Sequence, residues 1–187
     1  SLGARTLDEV VGRADLLRPH MPAGLWKVGS LDLGTLLVDE SPGAPLRAAA
    51  PDRPRVLPNG WLNDLIAEQA REAVQTGATV RLDLPIQNVD RTVGTALSSA
   101  IVRRHGPAGL PEDTVRIDLS GVAGQSLGAF LAPGVRIDVV GGANDAVGKG
   151  MAGGSMSISP PEGLDPGSDE ALIGNVALYG ATGGRLF

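Results

Sequence analysis

The stretches Val115-Arg116-Ile117-Asp118-Leu119-Ser120-Gly121 and Val135-Arg136-Ile137-Asp138-Val139-Val140-Gly141 open two consecutive copies of one twenty-residue phrase. The copies share nine of their twenty positions without a gap, and a fixed period of this size is typical of a solenoid. Apolar and polar residues alternate at the start of each copy, which predicts a half-buried strand. Twenty residues are too few for a strand–helix–strand crossover, which needs about thirty. We therefore expect each copy to form one coil of a β-helix, hydrogen-bonded to the next coil.

Glycine recurs at fixed places in the repeat, where the coil has to turn. A corner needs a positive φ or a close approach of two backbones, and glycine supplies either at low steric cost. The sequence predicts structural corners at eight glycines, namely Gly121, Gly128, Gly134, Gly141, Gly148, Gly154, Gly174 and Gly184.

A third copy follows, and it is about thirty residues long because a loop is inserted at residues 160–169. Met156 begins its strand, and Gly184 closes it. Loops at one corner of a solenoid absorb insertions of this kind. Residues 185–187 begin a fourth strand, and an open coil leaves unpaired strand groups at its end. We expect a fragment of a longer protein or a domain capped by a partner.

The composition favours a turn-rich β fold over a helical bundle. Aromatic residues make up 3% of the 187 residues, against 27 glycines and 14 prolines. A net charge of −5 offers no basic face to nucleic acid. No apolar run approaches the roughly eighteen residues of a membrane span, and no signal-peptide pattern opens the chain. Without cysteine there is no disulfide, iron–sulfur ligand or thiol catalysis. We expect a cytoplasmic protein with no nucleic-acid or membrane partner.

Three segments are predicted along the chain. Residues 1–58 form a lead-in, partly α-helical and largely irregular, that wraps a neighbouring surface, because long irregular stretches are uncommon inside a compact domain. Residues 59–110 form a helix–strand–helix cap. Residues 111–187 form about three coils of about twenty residues each, so the chain is mainly β.

Inside the cap, apolar residues at helical spacing predict a helix that starts near Asn59 and is closed by Gly77. Alternation predicts a strand at 79–86. A second helix is predicted at 91–104, with Asn88 or Asp90 as its N-terminal capping residue.

Two short motifs resemble catalytic or cofactor sites in their letters. Residues 148–153 fit a dinucleotide fingerprint, but that motif needs a helix after it, and here a strand is predicted to follow. Ser126 lies in a Gly-x-Ser-x-Gly pattern, but a nucleophile elbow needs a strand-to-helix turn on an α/β sheet. The repeat favours a structural corner for both.

The polar residues of the coils also have structural interpretations. Asp118 and Asp138 stack on the outer face beside arginines, which is typical of a solvated ladder. Asn144, Asp145 and Asn175 share one corner, where stacked side chains bond backbone groups; a metal site is disfavoured because one carboxylate is too few for a hard cation. The sequence therefore predicts no catalytic, cofactor-binding or metal-binding residue on this segment.

The histidines and one tryptophan complete the candidates. His20 and His105 lie in predicted loops, and no nucleophile pattern accompanies them. Trp61, beside a predicted helix start, is interpreted as a packing anchor rather than a ligand platform.

The motifs at 86–94, 124–128, 143–154 and 178–184 resemble the C-terminal glycine-repeat (GXGXG) domain of the large subunit of glutamate synthase. Residues 11–17 are similar to the lead-in of that domain. The resemblance covers most of the chain and is weakest from about Pro19 to Pro58.

The resemblance implies a right-handed, single-stranded parallel β-helix with no catalytic residues of its own. In the parent enzyme, glutamate is made from glutamine and 2-oxoglutarate, with electrons from NADPH or ferredoxin. An amidotransferase domain releases ammonia to an FMN domain that also carries an iron–sulfur cluster. The implied partners are these two domains and the small NADPH-oxidising subunit. The implied role is to brace the two domains, with no cofactor on this segment.

Two alternatives stay open. Related repeat domains form separate scaffold subunits in oxidoreductases such as N-methylglutamate synthase and formylmethanofuran dehydrogenase. An independent enzyme with a solenoid groove would need a cluster of carboxylates on one face, and the coils offer only Asp118, Asp138 and Asp145.

Overall fold

The computed structural model describes residues 3–6, 9–20, 31–38, 61–163 and 171–187. The chain forms two compact units, Ser1–Val56 and Leu57–Phe187. In the first unit the described residues contain two short 3-10 helices, Ala14–Leu16 and Gly34–Leu36. The lead-in predicted at 1–58 lies largely outside the described residues, and the boundaries at 58 and 110 stay predictions.

The second unit contains helices and strands in alternation at first and then strands alone. Its α-helices are α1 (Trp61–Gln69), α2 (Arg71–Thr76) and α3 (Thr95–His105), and a short 3-10 helix, Gly106–Ala108, follows α3. Its strands are β1 (Val80–Ile86), β2 (Val115–Ala123), β3 (Val135–Ala143), β4 (Ala152–Ser159) and β5 (Gly183–Leu186). No described helix has both the length and the apolar character required of a membrane span.

The five strands form one parallel sheet in the order β1-β2-β3-β4-β5. The register aligns the copies of the phrase residue by residue, so that Arg116 faces Arg136, Ile117 faces Ile137 and Asp118 faces Asp138. The strands predicted at the start of each copy, at Met156 and at 185–187 are confirmed. Each strand lies beside its neighbour in sequence because each copy brings the chain back by one position in the sheet.

Strand β1 belongs to the same series. Val80-Arg81-Leu82-Asp83-Leu84 is a further copy of the opening phrase, and it pairs in parallel with β2, Arg81 facing Arg116. The strand itself was predicted, but its membership of the repeat was not. The interval to β2 is thirty-five residues instead of twenty, because α3 is inserted between the two strands.

The helices differ from the prediction at their boundaries. One helix was predicted up to Gly77, but two form, with Ala70 between them; Gly77 at φ +79° closes α2 as expected. Helix α3 starts at Thr95 rather than Arg91, and its N-cap is Gly94 at φ +94° with no side-chain cap. Asn88 and Asp90 as capping residues were therefore wrong. The preceding residues continue the coil instead, as the Thr92 N–H donates to the Gln125 carbonyl at 2.9 Å.

Aliphatic side chains fill the core between the sheet and the helices. Ile117 and Ile137 lie side by side on β2 and β3 and are fully buried. Leu97 and Ile101 of α3 are buried in the same cluster. Burying a side chain of this size stabilises the fold by about 1.5–3 kcal/mol, so the inward positions of the phrase hold the coils together.

Candidate interaction site on the stacked coils

A second set of backbone hydrogen bonds joins successive coils outside the strands, and we call these hydrogen bonds rungs. In one direction the N–H of each coil donates to the next: Thr92 to Gln125 (2.9 Å), Ser126 to Asp145 (2.8 Å) and Ala146 to Asn175 (2.9 Å). In the other direction it donates to the preceding coil: Gly128 to Val93 (2.9 Å), Gly148 to Leu127 (2.8 Å) and Leu178 to Val147 (2.7 Å). Each coil is thus fixed to its neighbours both inside and outside the sheet.

The predicted corner glycines lie at crowded places between successive coils, and four of them, Gly121, Gly141, Gly154 and Gly184, lie inside strands. Gly128 and Gly148 have φ values of +63° and +65°, and a Cβ at either would meet the Met156 side chain. At Gly121 (φ +131°) and Gly141 (φ +145°) a Cβ would overlap the carbonyl oxygen of the preceding strand.

The other four predicted corner glycines share some of these features. Gly134, Gly154 and Gly184 have positive φ, and a Cβ at each would lie against neighbouring backbone. At Gly174, which is not in the positive-φ region, a Cβ would be 2.8 Å from the Asp145 backbone nitrogen. The geometry gives all eight a structural reason to be glycine.

One column of left-handed residues contains no glycine, and no pattern of residue types predicts it. Thr92, Ser126, Ala146 and Val176 have φ values of +53°, +63°, +62° and +60° and occupy equivalent places in successive coils. Such a conformation costs roughly 1–2 kcal/mol for a residue with a Cβ. The two sets of rungs impose the conformation whatever the side chain.

The candidate cofactor and nucleophile motifs both lie in these corners. Gly148 and Gly150 are left-handed, and the chain runs on from them into β4 rather than into a helix. Ser126 is 7% exposed, and its backbone N–H holds a rung. Neither motif has the helix that its chemistry requires.

Asparagine and aspartate side chains tie one corner together from coil to coil. The Asn144 Nδ2 donates to Asn88 Oδ1 at 2.9 Å, and Asn144 Oδ1 accepts from the Asp145 N–H at 2.7 Å. The Asp145 Oδ1 accepts from the Asn175 N–H at 2.7 Å. Among the described residues no group of three or more His, Asp or Glu side chains is placed to hold a metal ion.

The outer face of the sheet carries a ladder of arginines and aspartates. Arg81 Nε is 2.6 Å from Asp118, and Arg116 bridges Asp118 (3.2 Å) and Asp138 (3.0 Å). Arg136 Nε adds a 2.7 Å contact to Asp138. The ladder links three strands, as expected for cross-strand pairs.

Asp138 is the most strongly held member of the ladder. Its side chain is 15% exposed. Burial raises its pKa, but hydrogen bonds from Arg136 and the Ser157 hydroxyl, with the charges of Arg136 and Arg116, outweigh burial and lower the pKa below its usual value. The Ser157 Oγ donates to Asp138 Oδ1 at 2.6 Å. Asp138 is therefore a fixed anion, unsuited to act as a general acid near neutral pH.

His20 and His105 belong to different units of the chain. His20 is exposed in the first unit. His105 ends α3, and its Nε2 lies 2.7 Å from the Val74 carbonyl oxygen. The His105 ring thus joins the end of α3 to α2.

A groove of about 540 Å³ lies between the helices. Apolar Ala67, Val74 and Ala100 line it together with charged residues of both signs, and Arg71 pairs with Glu68 within it. The mixed charges favour no particular ligand.

The aromatic side chains are all on the surface in the described part of the chain. Trp61, Phe130, Tyr179 and Phe187 are 54%, 57%, 70% and 75% exposed. Trp61 is more than half exposed, and its interpretation as a packing anchor stays a prediction; the buried side chains of Leu62 and Ile66, at 1% and 0% exposure, hold α1 in the core. Exposed aromatics are enriched at protein interfaces, so these side chains mark the candidate interaction site.

Repeated parallel strands with glycine corners define the class of protein. Residues 63–187 match the family profile described as "GXGXG motif". That match covers more than half of the chain, and the chain belongs to the GXGXG family.

The relatives of the whole chain are glutamate synthases. The chain is 37% identical over 189 residues to the Glutamate synthase [NADPH] large chain of Bacillus subtilis. It is 41% identical over 191 residues to Glutamate synthase [NADH] of Schizosaccharomyces pombe, and 38% identical over 192 residues to the chloroplastic ferredoxin-dependent enzyme of Spinacia oleracea. Each alignment covers 100% of this chain but only 9–12% of the relative.

Proposed function

We propose that this chain is a non-catalytic structural domain of a glutamate synthase large chain, which makes glutamate from glutamine and 2-oxoglutarate. In this proposal the five strands and the second set of rungs form a right-handed, single-stranded parallel β-helix. The domain braces the amidotransferase and FMN-synthase domains. It binds no cofactor itself, and FMN and the iron–sulfur cluster belong to other parts of the enzyme.

The observation that carries the proposal is the match of the whole chain to a small part of much longer glutamate synthases. This also favours an embedded domain over a separate scaffold subunit. The geometry adds support, because rungs at 2.7–2.9 Å join every coil to the next and leave the aromatic side chains facing outward. A rigid body with outward anchors suits the role of a spacer between domains.

The electron donor is not decided by this segment. The relatives named for NADPH, NADH and ferredoxin are 37%, 41% and 38% identical to the chain. A donor-binding surface would be expected to separate these groups more strongly. The bracing role therefore requires the two domains of the same large chain and does not require contact with the small NADPH-oxidising subunit.

The test uses the full-length large chain with the double substitution Phe130→Ser and Tyr179→Ser. Both side chains are more than half exposed, so the coils should fold normally. If they hold neighbouring domains in place, glutamine hydrolysis should persist while the glutamate formed per glutamine consumed falls. Val102→Ser, on α3 at 42% exposure, is the matched control.

Two results would contradict the proposal at different levels. Unchanged coupling in the double variant would remove Phe130 and Tyr179 from the interface. Unchanged coupling after deletion of residues 59–187 from the large chain would remove the bracing role altogether.

A further inference from the structure

Among the described residues no coil precedes the first one, yet its hydrogen-bonding groups are satisfied. Every later coil presents a carbonyl and, three residues on, an N–H to the coil before it: Gln125 and Gly128, Asp145 and Gly148, Asn175 and Leu178. The corresponding groups of the first coil are the Arg91 carbonyl and the Gly94 N–H. Left unpaired and buried, each would cost about 1–3 kcal/mol.

The side chain of Asn63 on α1 satisfies both groups. Its Nδ2 donates to the Arg91 carbonyl at 3.0 Å, and its Oδ1 accepts from the Gly94 N–H at 3.1 Å. These are the roles that the Thr92 N–H and the Val93 carbonyl play toward the second coil, at 2.9 Å each. A carboxamide carries the same donor and acceptor as a peptide group.

We infer that Asn63 is a capping residue of the solenoid, whose side-chain amide takes the place of a peptide group of a coil that is not there. The orientation of the amide is fixed, because a flipped carboxamide would set N–H against N–H and oxygen against oxygen. Asn63 is 9% exposed, and the buried Leu62 and Ile66 hold α1 against the core on either side of it.

The opposite end of the coils lacks such a cap within the described residues. The Val176 N–H and the Ala177 carbonyl are the equivalents of the groups that bond to a following coil, and neither has a partner there. Within the described residues, the side-chain cap is therefore found only at the α1 side of the series. Asn63 occupies the backbone groups at the end next to α1, so these groups are not available to pair with another backbone. The series of rungs begins at the Asn63 side chain.

The direct test is a measurement on the unaltered 187-residue chain. Scalar coupling through a hydrogen bond should connect the Gly94 nitrogen to the Asn63 side-chain carbonyl carbon in an NMR experiment. The Gly128 nitrogen should show the equivalent coupling to the Val93 carbonyl carbon, as the internal reference. Coupling at Gly128 without coupling at Gly94 would overturn the inference.

Two substitutions of Asn63 distinguish the contribution of the side-chain donor from that of the side-chain acceptor. Asn63→Leu removes donor and acceptor, so the Gly94 amide should exchange with solvent about tenfold to a hundredfold faster, in keeping with one lost buried hydrogen bond, while Gly128 changes much less. Asn63→Asp keeps the acceptor, so Gly94 should stay protected although the urea midpoint falls.

The control is Asn88→Ala, which removes the exposed hydrogen bond to Asn144 and should leave Gly94 unaffected. Equal exchange rates at Gly94 in Asn63→Leu and the unaltered chain would overturn the inference. So would equal acceleration at Gly94 and Gly128, because a general loss of stability would then explain the effect.

Discussion

Gly148 and Gly180 offer a comparison that isolates the crowding between coils. Both have a φ of +65°, so alanine at either meets the same backbone strain. A Cβ at Gly148 would lie 2.7 Å from Leu178 Cδ2 and 3.2 Å from Met156 Cε, whereas a Cβ at Gly180 would have no neighbour within 4 Å. Met156 is 1% exposed and enclosed in the core.

The expected losses of stability follow from two effects, the strain of the left-handed backbone and the crowding of the added Cβ. Left-handed backbone costs alanine roughly 1–2 kcal/mol, and the lower entropy of the unfolded alanine chain returns about 0.5–1 kcal/mol. Gly180→Ala should therefore cost about 1 kcal/mol. Gly148→Ala adds overpacking of about 1–3 kcal/mol, for a total near 2–4 kcal/mol. Gly148→Val adds β-branching and should exceed about 4 kcal/mol, which is enough to disrupt a marginally stable domain.

The assay is urea unfolding of the three variants followed by circular dichroism at one temperature. The slopes of the unfolding transitions should match for the two alanine variants, since the fold is the same. Equal stability of Gly148→Ala and Gly180→Ala would show that crowding between coils does not explain the glycine. Unchanged β content and melting in Gly148→Val would contradict the corner assignment itself.

Three further predictions concern strain, charge and the corner. Val176→Gly should stabilise the chain by about 0.5–1 kcal/mol, because it relieves left-handed strain in a β-branched residue; a lower melting temperature would contradict this. Asp138→Asn should cost about 1–2 kcal/mol at pH 7. Because the folded pKa of Asp138 is lowered, this stabilisation is present above the unfolded pKa of about 3.9 and is lost as the pH falls through the folded value. The urea midpoints of variant and unaltered chain should therefore converge once the pH falls below the folded pKa of Asp138, and a constant difference would refute the ion-pair origin. Asp145→Ala should speed exchange of the Asn175 amide, its hydrogen-bond donor at 2.7 Å; an unchanged rate would remove that bond from the corner.

The sheet was predictable because the pairing of residues on β2 and β3 follows the twenty-residue repeat of the sequence. Identical residues twenty apart lie opposite each other on β2 and β3, and alternation within the phrase separates inward from outward positions. Strand β1 was predicted as a strand but not as a copy of the phrase. The inserted helix α3 lengthens the interval between the copy that begins at Val80 and the next one, so the repeat is not visible there.

The remaining features have no local signal in the sequence. The left-handed column holds Thr, Ser, Ala and Val, so residue type predicts nothing there, and only the hydrogen bonds between coils reveal it. Asn63 occupies an ordinary position in a helix, and its role depends on the Arg91 carbonyl and the Gly94 N–H, about thirty residues away. The candidate interaction site was missed because exposure of an aromatic side chain is decided by packing and not by the repeat.

Steric crowding inside the coils explains the glycines, whereas the aromatic side chains lie on the surface. The two sets of residues therefore separate fold from function in the coils. A corner glycine is explained by a closely approaching backbone, as at Gly121, or by crowding side chains, as at Gly148, and no ligand is needed to explain it. Phe130 and Tyr179 are both more than half exposed, and only one edge of the Phe130 ring lies close to the Gly150 backbone. The backbone fixes their spacing, because Phe130 bonds to the coil of Lys149, and Gly150 in that coil bonds to Tyr179. Two rungs of about 4.8 Å each then place the two aromatics roughly 10 Å apart along the stack. Because backbone hydrogen bonds fix this spacing, the two exposed aromatic side chains keep a constant separation along the sheet.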